Sequence, residues 1–328
     1  MKFWKMNGAG NDFIIINNLE ERLPHEVLPV LARTLCERHL SIGADGMMVV
    51  ERPSEGIDAD IRMLFFNSDG SLGEMCGNGA RCICRYVYEN GLGRHSAADG
   101  AEAVQVIETT AGIVTGLRIS ERQYRIRLND PSIMELDKTL TVTADELPFT
   151  TDTFSDVFHI RCAYVELGNP GLPHLAVEYT GIVTSLCETD GDPEQCSLKT
   201  ADDNRLRELG RCLRRHPDLP KGANVNFYEI TGTDTVYERT FERGVEDFTY
   251  ACGTGTGSVV AVLTAEGRVS GSGVRVGMTG GELIVDIESN SGGSAPETAA
   301  VPVSAVYLTG PTNIVAKGEV TDEELVLG

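Results

Sequence analysis

The most constraining feature of the chain is a pattern that occurs twice: a cysteine, then Gly-x-Gly, then a segment with helical spacing of apolar residues. The first copy begins at Cys76 and the second at Cys252. Aligned on the cysteines, both copies have apolar residues seven, ten and eleven places on and a glycine fifteen places on. This internal similarity predicts two related halves, each with one such helix.

Each cysteine is predicted to lie at the N-terminus of its helix. Unpaired N–H groups and the positive end of the helix dipole favour an anion there, so the position lowers the pKa of a thiol. A lone buried cysteine more often only packs, but the repetition singles out Cys76 and Cys252. Of the other cysteines, Cys187 and Cys196 receive no role, and five are interpreted as structural: Cys36, Cys82, Cys84, Cys162 and Cys212.

Length and charge limit the class of protein. A chain of 328 residues exceeds the usual size of one hydrophobic core, which predicts two domains. The net charge of -21 argues against nucleic acid or an anionic membrane as partner, and favours a small-molecule ligand. The N-terminus has no apolar signal core, and no apolar run reaches the roughly twenty residues of a membrane span. We therefore expect a cytoplasmic protein with reduced cysteines.

The pattern of apolar residues predicts a strand-rich α/β (α+β) fold. Helices are expected over residues 28–40, 80–89, 202–215 and 258–266, with short strands between them. A change of domain is expected after Asn129-Asp130-Pro131, where a second set of strands begins at 158–167.

Several short motifs together point to one family. They are Met6-Asn7-Gly8-Ala9-Gly10-Asn11-Asp12-Phe13, Gly43-Ala44-Asp45-Gly46, Asn67-Ser68-Asp69-Gly70-Ser71, Cys76-Gly77-Asn78-Gly79-Ala80-Arg81-Cys82, Gly168-Asn169-Pro170, Asn224-Val225-Asn226-Phe227, Glu242-Arg243-Gly244 and Ala251-Cys252-Gly253-Thr254-Gly255. In these motifs and in their order, the sequence resembles the diaminopimelate epimerase family.

The resemblance implies two pseudo-symmetric domains, each a strand-rich barrel around a central helix, with the active site in the cleft between them. The N-terminal domain would comprise residues 1–128 and 312–328, and the C-terminal domain residues 129–311. The implied activity is interconversion of LL- and meso-diaminopimelate without a cofactor, in lysine and peptidoglycan biosynthesis. Members of this family usually form homodimers.

The resemblance also implies roles for individual residues. Cys76 and Cys252 match the catalytic cysteines, and four backbone positions match the donors to the carboxylate of the reacting centre: Gly77, Asn78, Gly253 and Thr254. The side chains that match substrate-binding positions are Asn11, Asn67, Asn169, Asn224, Glu242 and Arg243.

The chemistry of epimerisation explains a pair of thiols. Inverting an α-carbon requires removing a proton from one face and returning one to the other, which a thiolate and a thiol on opposite faces can do. Pyridoxal phosphate is the usual alternative and needs a Schiff-base lysine. The lysines lie outside the glycine-rich motifs, so no cofactor is expected: Lys2, Lys5, Lys138, Lys199, Lys221 and Lys317.

Other interpretations remain open at this point. A related two-cysteine racemase of another amino acid, such as histidine, would keep both thiols and change the contacts to the distal end of the substrate. A thiol sensor would use the pair as a disulfide switch. Thiolates of Cys76, Cys82 and Cys84 could bind zinc, although no Cys-x-x-Cys pair is present. Glu242 and Arg243 could form an ordinary surface pair, and Asn67 could cap a turn.

Three features depart from the family pattern. Gly171-Leu172-Pro173 stands between Gly168-Asn169-Pro170 and His174, where the family has a histidine directly after the proline. Phe248 stands where family members usually have an acidic residue. The segment 178–222 is longer than is usual in the family, an insertion of the kind that loops tolerate.

Overall fold

The computed structural model describes residues 1–73, 75–93, 104–147, 157–168, 171–182, 197–289 and 303–321. Within these ranges the helices are α1 (Asn18–Glu21), α2 (Leu28–Cys36), α3 (Gly77–Glu89), α4 (Asp203–Arg214) and α5 (Gly253–Ala265). Short 3-10 helices lie at His25–Val27, Ala144–Glu146 and Tyr179–Gly181. The strands are β1 (Lys2–Gly8), β2 (Asn11–Asn17), β3 (Gly46–Glu51), β4 (Ile61–Asn67), β5 (Leu72–Gly73), β6 (Val104–Thr109), β7 (Gly112–Arg118), β8 (Gln123–Arg127), β9 (Pro131–Thr143), β10 (Val157–Leu167), β11 (Leu172–Glu178), β12 (Asn224–Gly232), β13 (Thr235–Phe241), β14 (Val274–Met278), β15 (Gly281–Ser289), β16 (Val303–Pro311) and β17 (Asn313–Glu319).

The chain divides into two compact units, and its fold is mixed α/β and strand-rich, as predicted. The N-terminal unit contains Met1–Arg127 and the described residues from Leu308 onward. The C-terminal unit is Leu128–Tyr307. Because β17 pairs with β1 in antiparallel fashion, the end of the described chain is hydrogen-bonded to its beginning.

In the N-terminal unit, strands β2 and β3 pair in parallel, with Phe13 opposite Gly46, and both carry uninterrupted apolar runs. Such runs are typical of strands that are covered on both faces. Helix α2 packs on one face, where Ile14 and Ile16 belong to its hydrophobic cluster. Helix α3 packs against the strands from the other face, with the Met48 side chain against Gly79.

The C-terminal unit is built in the same way around strands β11 and β12, which pair in parallel with His174 opposite Asn224. Helix α4 buries Leu206, Leu209 and Leu213 in a cluster with apolar residues of these strands. Helix α5 packs against β9, β10, β11, β12 and β15. It is buried on nearly all sides, which suits its almost entirely small and apolar sequence.

Strand pairing extends the repeat far beyond the two cysteine motifs. The succession β1, β2, α2, β3, β4, α3, β6, β7 matches β10, β11, α4, β12, β13, α5, β14, β15, with the same parallel or antiparallel sense at each pairing. Each cysteine helix therefore forms the crossover between two parallel strands of its own unit.

Two details of the predicted fold were wrong. The described strands do not form barrels, because the sheet is not closed. A barrel of about eight strands holds only side chains inside, whereas a whole helix packs against the strands of each unit. Strands β9 and β11 were missed as well. In β9 only Leu140 and Val142 are buried, although Met134, Leu136, Leu140 and Val142 alternate with polar residues in its sequence.

Some residues of the sequence predictions lie outside the described part of the chain. They are Glu74 in the first cysteine motif, Asn169 and Pro170 in the Gly-Asn-Pro motif, and Cys187 and Cys196.

Candidate active site

Both cysteines are the N-cap residues of their helices, as predicted. Cys76 has φ −133° and ψ 114°, and Cys252 has φ −120° and ψ 101°, so both have extended backbones directly before a helix. The first helical hydrogen bonds come from Ala80 N–H to the Cys76 carbonyl at 2.8 Å and from Thr256 N–H to the Cys252 carbonyl at 2.9 Å.

These helix starts are suited to bind an anion. The N–H groups of the first turn precede the first intrahelical bond, so they have no carbonyl four residues earlier to which they could donate. Together with the helix dipole they attract negative charge. Gly77, Asn78, Gly253 and Thr254, the predicted carboxylate-binding positions, lie in these two first turns.

In the N-terminal unit, hydrogen bonds link the cysteine helix to the first loop. Arg81 Nη2 donates to Asn78 Oδ1 at 2.7 Å, and Asn78 Nδ2 donates to Asn11 Oδ1 at 2.6 Å. Asn11 Nδ2 donates to Asp45 Oδ2 at 3.0 Å, and Arg38 pairs with Asp45 Oδ1 at 2.8 Å. The structure thus brings together Asn11 and Asn78, two residues that were predicted to bind substrate.

The ends of this chain of hydrogen bonds determine the orientation of both amides. Arg81 can only donate, so the oxygen of Asn78 faces it, and ionised Asp45 can only accept, so the nitrogen of Asn11 faces Asp45. Arg81 is fully buried, and burial lowers the pKa of its guanidinium to about 10. It is therefore still positively charged at neutral pH.

Asn67 lies at the end of β4, where it also stabilises a turn. Its Nδ2 donates to Ser71 Oγ at 3.0 Å, and its carbonyl accepts the N–H of Gly70 at 2.9 Å. The side chain is exposed. The capping role that the sequence left open is therefore observed, and it leaves the amide oxygen of Asn67 accessible.

In the C-terminal unit, Asn224 holds the segment that carries Glu242 and Arg243. The N–H of Arg243 donates to Asn224 Oδ1 at 2.8 Å, and Arg243 Nη1 donates to the Lys221 carbonyl at 3.0 Å. Asn224 is 4 % exposed, so its side chain mainly positions this backbone. The structure therefore brings Asn224 and Arg243 together.

For Cys252 the expected lowering of the pKa was wrong. Burial raises the pKa of its thiol well above the usual value, and the negative charges of Glu242 and Glu238 raise it further. Hydrogen bonds from the Thr254 hydroxyl and the Gly255 N–H act in the opposite direction; they are smaller than the effects of burial and Glu242, and larger than the effect of Glu238. The helix N-terminus thus offsets only part of the cost of burying a thiolate.

Comparison with known proteins identifies the family. The model of the diaminopimelate epimerase family matches residues 3–116 and 194–302, which is more than half of the chain. A diaminopimelate epimerase from Aquifex aeolicus is 31 % identical over 99 % of this chain and 99 % of its own length. One from Archaeoglobus fulgidus is 35 % identical over 88 % of this chain and 90 % of its own. The chain belongs to the diaminopimelate epimerase family.

The solved structures agree on the fold. A probable proline racemase from Agrobacterium radiobacter superimposes with a TM-score of 0.64 at 19 % identity, over 99 % of this chain and 95 % of that one. A hydroxyproline epimerase from Agrobacterium vitis has a TM-score of 0.62 at 18 % identity, over 98 % and 90 %. Membership of this family makes the protein an isomerase of the epimerase class, which removes the alternative of a non-catalytic thiol sensor.

The structure shows the surroundings of His174 and Phe248, two residues at which the sequence departs from the family pattern. His174 is completely buried in β11, with its Nδ1 3.4 Å from Asn226 Nδ2, and burial lowers its pKa to about 3, so the ring is neutral. Phe248 packs on Phe241 and stacks under the Arg239 guanidinium at 4.4 Å. The family match leaves out residues 117–193, which include the Gly168-Asn169-Pro170 motif.

Sequence reasoning missed Arg81 and Asp45 as members of the site. Both lie inside motifs that carried the resemblance, Cys76-Gly77-Asn78-Gly79-Ala80-Arg81-Cys82 and Gly43-Ala44-Asp45-Gly46. A charged residue on the buried side of a helix was the signal that could have indicated a special role for Arg81.

Two further findings concern metals and membranes. Within the described ranges, no three His, Cys, Asp or Glu side chains are grouped as metal ligands. Cys82 and Cys84, which the zinc alternative required, are fully buried, and burial raises the pKa of Cys82 to about 12. None of the described helices has the length and apolar character needed to cross a membrane.

Proposed function

We propose that this epimerase interconverts LL- and meso-diaminopimelate, with Cys76 and Cys252 as the acid–base pair that acts on one α-carbon. The observation that carries the proposal is the equivalence of the two cysteines: both are N-cap residues with extended backbones, and they precede equivalent helices of a two-fold repeat. One removes the α-proton as a thiolate while the other delivers a proton as a thiol, and the roles exchange in the reverse direction.

The two helix starts supply the stabilisation that the carbanion needs. Removal of the α-proton moves negative charge toward the neighbouring carboxylate, and N–H donors that already point at that position stabilise the charge without reorganising. In the proposal these donors are the backbone groups of Gly77, Asn78, Gly253 and Thr254.

We assign the distal amino-acid end of the substrate to the polar side chains of both units. Arg243 can bind a carboxylate at two points, and Asn224 supports it by accepting its N–H. Glu242 and the oxygen of Asn67 can accept hydrogen bonds from an ammonium group. Asn11 and, outside the described residues, Asn169 complete the predicted set.

The mechanism needs no pyridoxal phosphate in this proposal. Five of the six lysines have an observed partner in their own unit. Lys5 pairs with Asp12 at 2.7 Å, Lys221 with Glu166 at 2.9 Å and Lys138 with Glu135 at 3.0 Å, while Lys199 lies over the Tyr237 ring and Lys317 over the Trp4 ring. We further propose a homodimer that works in the cytoplasm, where the thiols stay reduced. Light scattering of the purified protein tests the dimer.

The activity is tested with purified enzyme in deuterated water. LL-diaminopimelate and a panel of single L-amino acids, including histidine and proline, are incubated separately and analysed by chiral chromatography and mass spectrometry. We expect inversion and deuterium incorporation with diaminopimelate alone. Clear racemisation of a monoamino acid, with no turnover of diaminopimelate, would contradict the proposed substrate but would still support the proposed class of reaction.

A further inference from the structure

The Glu238 side chain is buried behind the Cys252 helix. It is 2 % exposed and lies on β13. Its hydrogen-bond partners are two hydroxyl groups: Thr256 Oγ1 is 2.7 Å from Oε2, and Thr240 Oγ1 is 3.4 Å from Oε1. No lysine, arginine or histidine in the described part of the chain pairs with it, and an unpaired buried carboxylate is costly. Burial accordingly raises the pKa of Glu238 to about 8.

The hydroxyl groups around Glu238 fit its protonated form. Thr256 Oγ1 is 2.7 Å from Glu238 Oε2 and 2.9 Å from the Cys252 carbonyl oxygen, but it has one hydrogen to donate. If Glu238 is a carboxylic acid, it donates to Thr256, and Thr256 donates to the Cys252 carbonyl. The acid is thus linked through one side chain to the backbone of Cys252.

The repeat supplies a control within the same chain. The two helices align at Gly79 and Gly255. A Cβ at Gly79 would meet the Met48 side chain, and a Cβ at Gly255 would meet the Asn226 side chain, so Met48 and Asn226 are equivalent strand residues. In this alignment the cross-strand pair Tyr228 and Glu238 of the C-terminal unit is equivalent to the pair Val50 and Met63 of the N-terminal unit. Glu238 is therefore the counterpart of Met63, and Thr256 is the counterpart of Ala80.

The same alignment shows that a whole polar set is specific to the Cys252 half. His174, Asn226 and Thr240 take the places of Phe13, Met48 and Phe65. Thr240 Oγ1 donates to Asn226 Oδ1 at 3.0 Å, and Asn226 Nδ2 donates to the Leu175 carbonyl at 2.9 Å. The N-terminal half folds with apolar residues at these positions, so the fold by itself does not require the polar set.

We infer that Glu238 is a positioning residue for Cys252, which acts through Thr256 to fix the first turn of α5 and, once it ionises, opposes loss of the Cys252 proton. The inference rests on the proposed acid–base role of Cys252. Glu242 is the other acidic group that raises the pKa of Cys252, and His174, beyond Asn226, is neutral. Ionisation of Glu238 therefore places a second negative charge near the sulfur and opposes formation of the thiolate.

The first test is alkylation of Cys252 by iodoacetamide in ligand-free enzyme, followed by peptide mass spectrometry across pH. In Glu238→Gln, which keeps a donor to Thr256, we expect the alkylation rate at pH 9 to rise roughly tenfold, and the midpoint to move to lower pH. The profile of Cys76 should stay unchanged.

Glu229→Gln is the matched control. Glu229 lies on β12, the strand next to that of Glu238, and its carboxylate accepts hydrogen bonds from the Ser197 hydroxyl and the Leu198 N–H. A Cys252 profile identical to wild type in Glu238→Gln, or an equal change in the control, overturns the inference.

The second test addresses positioning. Thr256→Val removes the hydroxyl at nearly constant shape, and Thr256→Ser restores it. We expect kcat to fall roughly tenfold in Thr256→Val, with KM within about twofold, and to recover in Thr256→Ser. Equal kcat values in the two variants contradict the link through Thr256. Because alkylation needs no substrate, the first test remains decisive even if diaminopimelate is not turned over.

Discussion

Helices α3 and α5 occupy equivalent positions in their units, and each begins directly after an extended cysteine. Their surroundings differ in the buried ionisable group, which is a guanidinium beside α3 and a carboxyl group beside α5. The Arg81 guanidinium lies one turn into α3 and favours the thiolate form of a nearby thiol, whereas the Glu238 carboxyl behind α5 opposes it. A reaction that needs one thiolate and one thiol at a time can use this difference to determine which cysteine carries the proton in the ligand-free enzyme.

The comparison also separates folding from function. Apolar residues in the N-terminal half and polar residues in the C-terminal half fill the same positions beneath a cysteine helix. Buried polar groups are retained at a cost in stability. We therefore attribute the polar set to the reaction and expect its removal to affect stability and activity in opposite directions.

The largest expected effect comes from removing either thiol. We expect Cys76→Ala and Cys252→Ala each to lose epimerisation by roughly a thousandfold or more, because general acid–base catalysis contributes on this scale. Each variant should still exchange the α-proton of the isomer that faces its remaining thiol, measured by deuterium incorporation without inversion. Equal loss of exchange from both isomers in both variants would contradict independent roles for the thiols.

The next effect concerns stability. The pKa of Glu238 is about 8 in the folded protein against the ordinary value of 4.5, so only the unfolded chain releases this proton between those values. Stability then falls with rising pH by about 1.4 kcal/mol per pH unit in that window. The Glu238→Gln variant has no proton to release at this position, so its free energy of unfolding does not fall in this window. We expect the variant to be roughly 3 kcal/mol more stable than the wild type at pH 7 and equally stable at pH 4. Urea unfolding at both pH values checks this, and parallel pH dependences in the two proteins would contradict it.

A pair of glycine substitutions compares the packing of the two helices. A Cβ at Gly79 would meet the flexible end of Met48, whereas one at Gly255 would meet the Asn226 amide, which is hydrogen-bonded to Leu175 and Thr240. We expect Gly255→Ala to destabilise the protein by about 2 kcal/mol and Gly79→Ala by clearly less. Thermal unfolding of the two variants measures the difference, and equal shifts would show that the polar set is no more rigid than Met48.

The smallest expected effect is at Asn67, whose counterpart in the repeat is Glu242. Asn67 is exposed and bonds Ser71 in a turn, so Asn67→Ala should change the free energy of unfolding by about 0.5 kcal/mol or less. If it also binds substrate, KM for diaminopimelate rises severalfold while kcat stays within about twofold. Steady-state kinetics decides between binding and capping alone, and an unchanged KM leaves only the cap.

The sequence predicted the features that depend on local pattern. Both cysteine helices, helix α4 and most strands follow from periodicity and turn residues. Strand β9 was missed although its apolar residues alternate with polar ones, because Lys138 interrupts the alternation and only Leu140 and Val142 are buried. The pKa of Cys252 was mistaken because a helix N-terminus can be recognised from sequence, while the burial of the sulfur and its nearness to Glu242 and Glu238 arise only in the fold.

The central claim is that the ligand-free enzyme holds Cys76 as the more readily ionised thiol and Cys252 as the proton-bearing one. It is tested most directly by measuring the iodoacetamide reactivity of both cysteines in wild-type enzyme from pH 6 to 10. Because the two thiols differ in exposure, the midpoints of the pH profiles are compared rather than the absolute rates. The account predicts a lower midpoint for Cys76 than for Cys252. Coincident midpoints, or a lower one for Cys252, would contradict it.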